Sequence, residues 1–394
     1  MFKKIPFVSL FFNLAITTLN FVFGLYFLKL TGSAFIFGTL VIIGPIVSLL
    51  LTPFMSMIVD TFDRKKVLIS SQLISLFSLI IYELIGSHSG LASAYVLMIA
   101  IRIAEELFIV TLKASVPQLV VENDYQKINA LVQSGTSLAN VLSPIVGGML
   151  YAFIDLRTLI YLIISLIILS TFISFSLNFN HNNHLEDNEP HKFKDVLTFI
   201  LDRKVILNLV VIAMFVNFFS SSITIGLPII ILDELHLSEL VYSLLESVMS
   251  ATMVINGLIL SIKPINNELS VIYKSMFSFA IILLFFGIPL LISEQTTFSI
   301  YLLTILVVAF GFILICANTV MTTFIQKVTP NDMQGGIYSI ISALSQFFVP
   351  LGTLCYGILF DCFSSTYIFI ISGSISLLII SILLHNNRYS RIIK

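Results

Sequence analysis

Long apolar runs alternate with short polar segments along almost the whole chain. A bilayer core takes about 20 residues of helix, and twelve stretches reach roughly that length: Pro6–Lys29, Ala34–Val59, Val67–Ile85, Ala92–Leu112, Ile128–Phe153, Thr158–Leu177, Val205–Leu232, Val241–Ile262, Val271–Ile292, Phe298–Thr322, Gly336–Phe360 and Tyr367–Leu384. Hydrocarbon offers backbone amides no partner but the helix itself, so the pattern predicts an all-α membrane protein of twelve transmembrane helices. The one long polar stretch, Asn178–Lys204, divides these spans into two sets of six. The expected organisation is a six-helix half over 1–177, a cytoplasmic linker over 178–204 and a second six-helix half over 205–394. Within the linker, Phe193, Val196, Leu197, Ile200 and Leu201 form an amphipathic piece. His181, His184 and His191 lie there too, and are read as part of a solvated linker rather than a metal or pH sensor.

Composition agrees with that pattern. Apolar residues make up 58% of the 394, charged residues 10%, and mean hydropathy is +1.05; a soluble domain of this length has too little interior to hide that fraction. The run after Lys3 and Lys4 is too long for a signal peptide and reads as a retained first span. Basic residues set the orientation. With the N-terminus inside, Lys29 and Arg157 are the outer ones, while the inner segments hold the rest apart from Arg102. By the positive-inside rule both termini are cytoplasmic, in a cell membrane. Cys316, Cys355 and Cys362 lack zinc-ligand spacing and read as small buried hydrophobes. No phosphate-binding loop and no basic stripe is present, which argues against an enzyme, ATP as energy source, and nucleic acid as partner. No cofactor and no metal is expected.

Charge deep in the membrane is the exception that carries chemistry. Arg102 sits in the middle of the fourth span, with Glu105 and Glu106 three and four residues on. An ionised group there costs a few kcal/mol on insertion scales and persists mostly where it faces protein, water or a partner. Burial raises a carboxyl's pKa and a nearby guanidinium lowers it, so Arg102, Glu105 and Glu106 are the candidate proton-coupling centre; an intrahelical ion pair that only stabilises the span is the alternative. Asn20, Glu246, Asn318 and Gln346 are the candidate substrate-lining residues, with helix–helix packing the alternative. Glu83, near an outer end, is read as snorkelling to water. The halves also repeat weakly. VENDYQKINALVQS before the fifth span parallels TPNDMQGGIYSIIS before the eleventh, and those spans carry Pro144 and Pro350. Such repeats place a substrate site near the midplane.

The loop between spans two and three reads Ser56-Met-Ile-Val-Asp60-Thr-Phe-Asp63-Arg64-Lys65-Lys66. Here the chain resembles the major facilitator superfamily, over its full length. Asp60, Arg64, Lys65 and Lys66 match the family's loop motif, while Ser56, Thr61 and Asp63 depart from its first Gly, its Arg and its second Gly. The variant resembles the branch of macrolide efflux pumps and the enterobactin exporter. Ser143, Pro144, Gly147 and Gly148 on span five are similar to the family's antiporter motif, with Ala130, Ala139 and Ser143 in place of its earlier glycines; ordinary small-residue packing is the alternative. The resemblance implies the major facilitator fold, with two pseudo-symmetric halves. It also implies a conformational latch in which Asp60, with the Arg64-Lys65-Lys66 cluster, meets the amide-rich start of span eleven near Gly335 and Gly336 and contacts no substrate. The function it implies is a monomeric, proton-coupled secondary transporter that exports amphipathic, drug- or macrolide-like small molecules across the cytoplasmic membrane by alternating access. Siderophore export, uptake or lipid flipping by the same fold, and a non-transporting membrane sensor are the alternatives.

Overall fold

The computed structural model describes residues 4–31, 34–85, 90–179, 193–289 and 296–392. Six long helices come first: α1 (Lys4–Thr31), α2 (Ala34–Thr61), α3 (Arg64–Ile85), α4 (Leu91–Leu119), α5 (Tyr125–Phe153) and α6 (Leu156–Phe175). A short helix, α7 (Phe193–Asp202), follows, and then six more long ones: α8 (Lys204–Pro228), α9 (Glu239–Ile262), α10 (Glu268–Phe286), α11 (Thr296–Val328), α12 (Gln334–Cys362) and α13 (Ser365–Ile392). Past Pro228, α8 widens into a π turn over Ile229–Glu234. Several helices outrun their apolar stretches: α4 continues seven residues past Leu112, because its tail is buried in protein and needs no lipid match. His181, His184 and His191 lie outside the described residues.

Among the described residues, nine helices are long and apolar enough to cross a membrane. The other three long ones are informative exceptions. α4 carries Arg102, Glu105, Glu106 and Lys113, and α5 opens on a polar turn; in α2 the apolar stretch that qualifies is the shorter Ile46–Thr61.

The chain forms two compact units, one of residues 1–198 with 326–343, the other of 199–325 with 344–394. Both reverse the usual polarity of a soluble domain. On α6, Ser170 and Ser174 are fully buried while Phe172 is 75% exposed. Gln72 on α3 is fully buried and donates to Ser170 Oγ at 2.9 Å. Polar side chains turned inward find partners, and phenylalanines turned outward meet lipid, as a bilayer solvent requires. In the first unit, Phe12, Ile16, Phe23, Ile101, Phe108 and Ile163 belong to one core. In the second, Phe219, Ile223, Phe279, Phe286, Phe310 and Phe369 do the same.

Two expectations need correction. Glu83 does not snorkel: it is buried, and the Arg157 guanidinium donates to it at 2.9 Å. Cys362 is exposed, because it ends α12; Cys316 and Cys355 are half-buried.

Candidate functional site

The 60–66 turn is built from its own sequence. Asp63, which stands where the family motif has a glycine, accepts from the Lys66 amide at 3.1 Å and so caps the start of α3. Asp60 ends α2, and Arg64 follows one helical turn later. The buried guanidinium of Arg64 lies 3.5 Å from Asp60 Oδ1 and donates to the carbonyls of Ala114 and Asn331. The Lys65 ammonium donates to the Leu177 carbonyl at 2.7 Å, and Lys66 is exposed.

Asp60 is 6% exposed. The Gly335 amide donates to its Oδ1 and the Gly336 amide to its Oδ2, both at 2.7 Å. These are orphan amides of the first turn of α12, where the helix dipole favours an anion. Only glycine fits at 335. A Cβ there would stand 2.6 Å from Asp60 Oδ1 and 2.7 Å from Val59 Cβ.

A second polar cluster in the same unit escaped sequence reasoning. Gln326 donates to the Lys113 carbonyl at 2.9 Å and accepts from Asn129 at 2.7 Å. Gln334, fully buried, donates to the carbonyls of Gln326 and Thr329 at 3.2 and 3.4 Å. The internal repeat held part of this signal, since it aligns Gln126 with Gln334 and both are buried. The Asn129–Gln326 pair, 197 residues apart, left no trace in either local pattern.

The charged residues of α4 divide between two surroundings. Arg102 donates to Glu105 Oε2 at 2.7 Å, with both side chains about one-fifth exposed, at 22% and 18%. Its Nε is buried and has no hydrogen-bond partner among the described residues. α2 makes room for it: a Cβ on Gly44 would lie 3.1 Å from Arg102 Cζ and Nε. Glu106, on the next position round the helix, is 4% exposed.

The small residues of α5 face α1. Ser143 donates to the Leu14 carbonyl at 3.3 Å, a Cβ on Gly147 would lie 3.2 Å from Thr18 Cγ2 and Val22 Cγ2, and one on Gly148 would lie 3.6 Å from Phe21. Ala130 and Ala139 are fully buried. This is close helix packing through small residues. Pro144 belongs to α5, and its side chain lies outside what is described.

The candidate substrate-lining residues divide between the units, Asn20 in the first and Glu246, Asn318 and Gln346 in the second. Asn20 is half-buried on α1, with Oδ1 lacking a hydrogen-bond partner among the described residues. Glu246, half-buried on α9, hydrogen-bonds the Tyr242 hydroxyl. Asn318 lies on α11, half-buried. Gln346 is half-buried on α12, and the same helix contributes Phe348 to an aromatic shelf that no sequence pattern marked. There Phe348 stands 6.4 Å from Phe218 and 6.5 Å from Phe215, centroid to centroid, and Phe218 stands 5.6 Å from Tyr356. Phe215, Phe218, Phe347 and Phe348 are all half-buried.

The sequence model of the Major Facilitator Superfamily matches residues 7–353. Macrolide efflux protein A of Streptococcus pyogenes is 21% identical over 357 residues, covering 89% of this chain and 87% of that protein. Among solved structures, a bacterial homologue of iron transporter ferroportin in an outward-facing state superposes with a TM-score of 0.77 at 13% identity, over 98% of this chain and 99% of that one. The proton:xylose symporter XylE does so with a TM-score of 0.73 at 12% identity, over 98% and 95%. At such identities these structures establish the fold.

Proposed function

The chain belongs to the Major Facilitator Superfamily and is a multi-pass membrane transporter, and from that premise we propose that it exports amphipathic, macrolide-like molecules from the cytoplasm in exchange for protons. Export and substrate class lean on the similarity to macrolide efflux protein A. Proton coupling leans on one observation: Arg102 and Glu105 form an ion pair in the middle of an otherwise apolar helix, at a spot cleared by Gly44, with buried Glu106 next to it. A carboxyl in that setting binds or releases a proton according to how near the guanidinium lies and how dry the site is. Protonation of Glu105 breaks the pair and frees Arg102, and release restores it. The aromatic shelf on α8 and α12 offers an amphipathic molecule an apolar, aromatic contact.

On this reading, Asp60 is the latch. While its carboxylate holds the first turn of α12, residues 326–343 stay with the first unit; alternating access requires that contact to break and re-form. Both termini and the 60–66 turn then face the cytoplasm, in line with the basic inner segments.

The test is transport of a macrolide into inverted liposomes, with and without an imposed proton gradient. Uptake should need the gradient. In Glu105→Gln or Glu106→Gln, whichever is the coupling position, binding should persist while the pH dependence of uptake is lost. Gradient-independent uptake would end the proton reading, and unchanged pH dependence in the double Gln variant would move the proton site away from α4.

A further inference from the structure

The linker helix α7 has no place in the transport cycle described above, yet its surface is sorted into three faces. Val196 and Ile200 are 0% and 2% exposed and turn into the protein, and Phe199 is buried beside them. Arg203 lies 3.7 Å over the Phe199 ring, so that guanidinium stays on the same side. A second face of α7 runs Lys194, Leu197, Leu201, at the three- and four-residue steps that align side chains along a helix, and Lys204, beyond the non-helical Arg203, opens α8. All four are exposed, Leu197 by 40% and Leu201 by 54%. The acids, Asp195 and Asp202, share neither face; they are exposed on the third.

Chain connectivity fixes where this helix lies. α7 ends at Asp202, and after Arg203 the membrane span of α8 opens at Lys204. The C-terminal end of α7 is therefore within one residue of the headgroup layer. A leucine pair bracketed by two lysines, with acids turned elsewhere, suits that layer: the leucines enter the acyl boundary and the lysines reach anionic headgroups.

We infer that α7 is an interfacial helix whose Lys194-Leu197-Leu201 stripe, with Lys204 at the start of α8, binds the surface of the bilayer and prefers anionic lipid. On the orientation proposed above, this is the cytoplasmic leaflet. The stripe gives the protein an attachment to lipid composition that is separate from substrate, proton and latch.

The chain has no tryptophan, so a single introduced indole reports its own surroundings. Full-length Leu201→Trp and Asp202→Trp are placed in phosphatidylcholine vesicles, with or without about one-third phosphatidylglycerol, a mixture chosen to raise the surface potential. Leu201→Trp should be quenched by brominated acyl chains and shielded from acrylamide, and Asp202→Trp the reverse. Phosphatidylglycerol should deepen the Leu201→Trp quenching, and Lys194→Glu with Lys204→Glu should abolish that deepening. Should Leu201→Trp fail to elute as a single species, Leu197→Trp takes its place on the same stripe. Equal acrylamide access at both positions would overturn the inference and leave the stripe free for a soluble partner. Quenching that ignores phosphatidylglycerol would overturn the anionic preference.

Discussion

The two halves of the chain each have a turn after their second long helix, and the two turns have opposite fates. In the first, Asp60–Arg64, the two charged ends are buried, Asp60 at 6% and Arg64 at 2% exposure, with Thr61 and Phe62 exposed between them, and the Asp60 carboxylate is held by two glycine amides. The second, Lys263–Asn267, is largely exposed, carries no acid before Glu268, and ends with Asn267 capping α10 through the Ser270 amide. The receptor differs as well. The repeat that supplies Gly335 and Gly336 in its second copy has Lys127 and Ile128 at those positions in its first. Neither the anion nor the amide cradle recurs. On the proposed reading the latch therefore belongs to one half of the repeat, and a side chain at position 335 would fill the space the carboxylate needs.

The same division runs deeper. The first unit contains the Arg102–Glu105 pair and buried Glu106, and the second has the extended aromatic shelf. On the proposed reading, the coupling charge lies in the first unit and the surface for an apolar molecule in the second.

The hardest test of that division is Arg102→Ala, which strips Glu105 of its partner. Losing one member of a buried pair costs about 3–5 kcal/mol. For a pair one-fifth exposed the cost is smaller, and it appears as a lower unfolding midpoint. Transport in liposomes should be lost while the protein still elutes as a folded species, because the proposed coupling carboxyl has lost its partner. A wild-type rate would remove the charged centre from the mechanism.

Next come the two sides of the latch. Asp60→Asn keeps the shape and loses the charge that makes each amide bond worth about 1.5–3 kcal/mol; Gly335→Ala keeps the charge and obstructs its approach. Both should slow turnover by roughly tenfold, since about 1.4 kcal/mol corresponds to that factor. Both should also lengthen the distance between spin labels near the ends of α2 and α12, as read by pulsed spectroscopy. A Lys127→Gly, Ile128→Gly double variant should leave that distance unchanged, because the turn after α9 carries no acid before Glu268 to match Asp60. If Asp60→Asn leaves the distances as they were, the latch assignment is wrong.

A smaller effect is expected from the second unit. Phe218→Ala and Phe348→Ala each remove aromatic contact worth about 0.5–1.5 kcal/mol beyond area. The apparent KM for a macrolide should rise a few-fold, with the pH dependence of transport intact. A change in pH dependence would erase the division of labour between units.

The smallest effect is at Asp155, the exposed cap of α6. The Thr158 hydroxyl and backbone amide both donate to its carboxylate and hold it below the usual carboxylate range. A carboxyl depressed in the folded state contributes stability above its unfolded value, about 3.9, and loses it as pH falls through the folded value. Asp155→Ala should therefore lower the unfolding midpoint slightly at neutral pH, with the difference from wild type vanishing in acid. An equal difference at both pH values would assign the cap to its neutral hydrogen bonds.

Much of this protein was legible in one dimension. Span length, apolar run and helical backbone are linked by the thickness and dryness of a bilayer, so they can be counted along the chain; so could the Asp60 motif and the depth of Arg102, since a charge stands out where almost none occurs. Partners distant in sequence could not be read that way. That Gly44 clears space for Arg102, that Asn129 meets Gln326 across 197 residues, and that Glu83 is clasped by Arg157 instead of reaching water all depend on which helix faces which. The aromatic shelf belongs with them. The chain has 35 phenylalanines, and an apolar ring suits lipid and protein interior alike. Hydrophobicity alone places such a ring in the membrane; only the packing of α8 on α12 turned Phe218 and Phe348 toward each other.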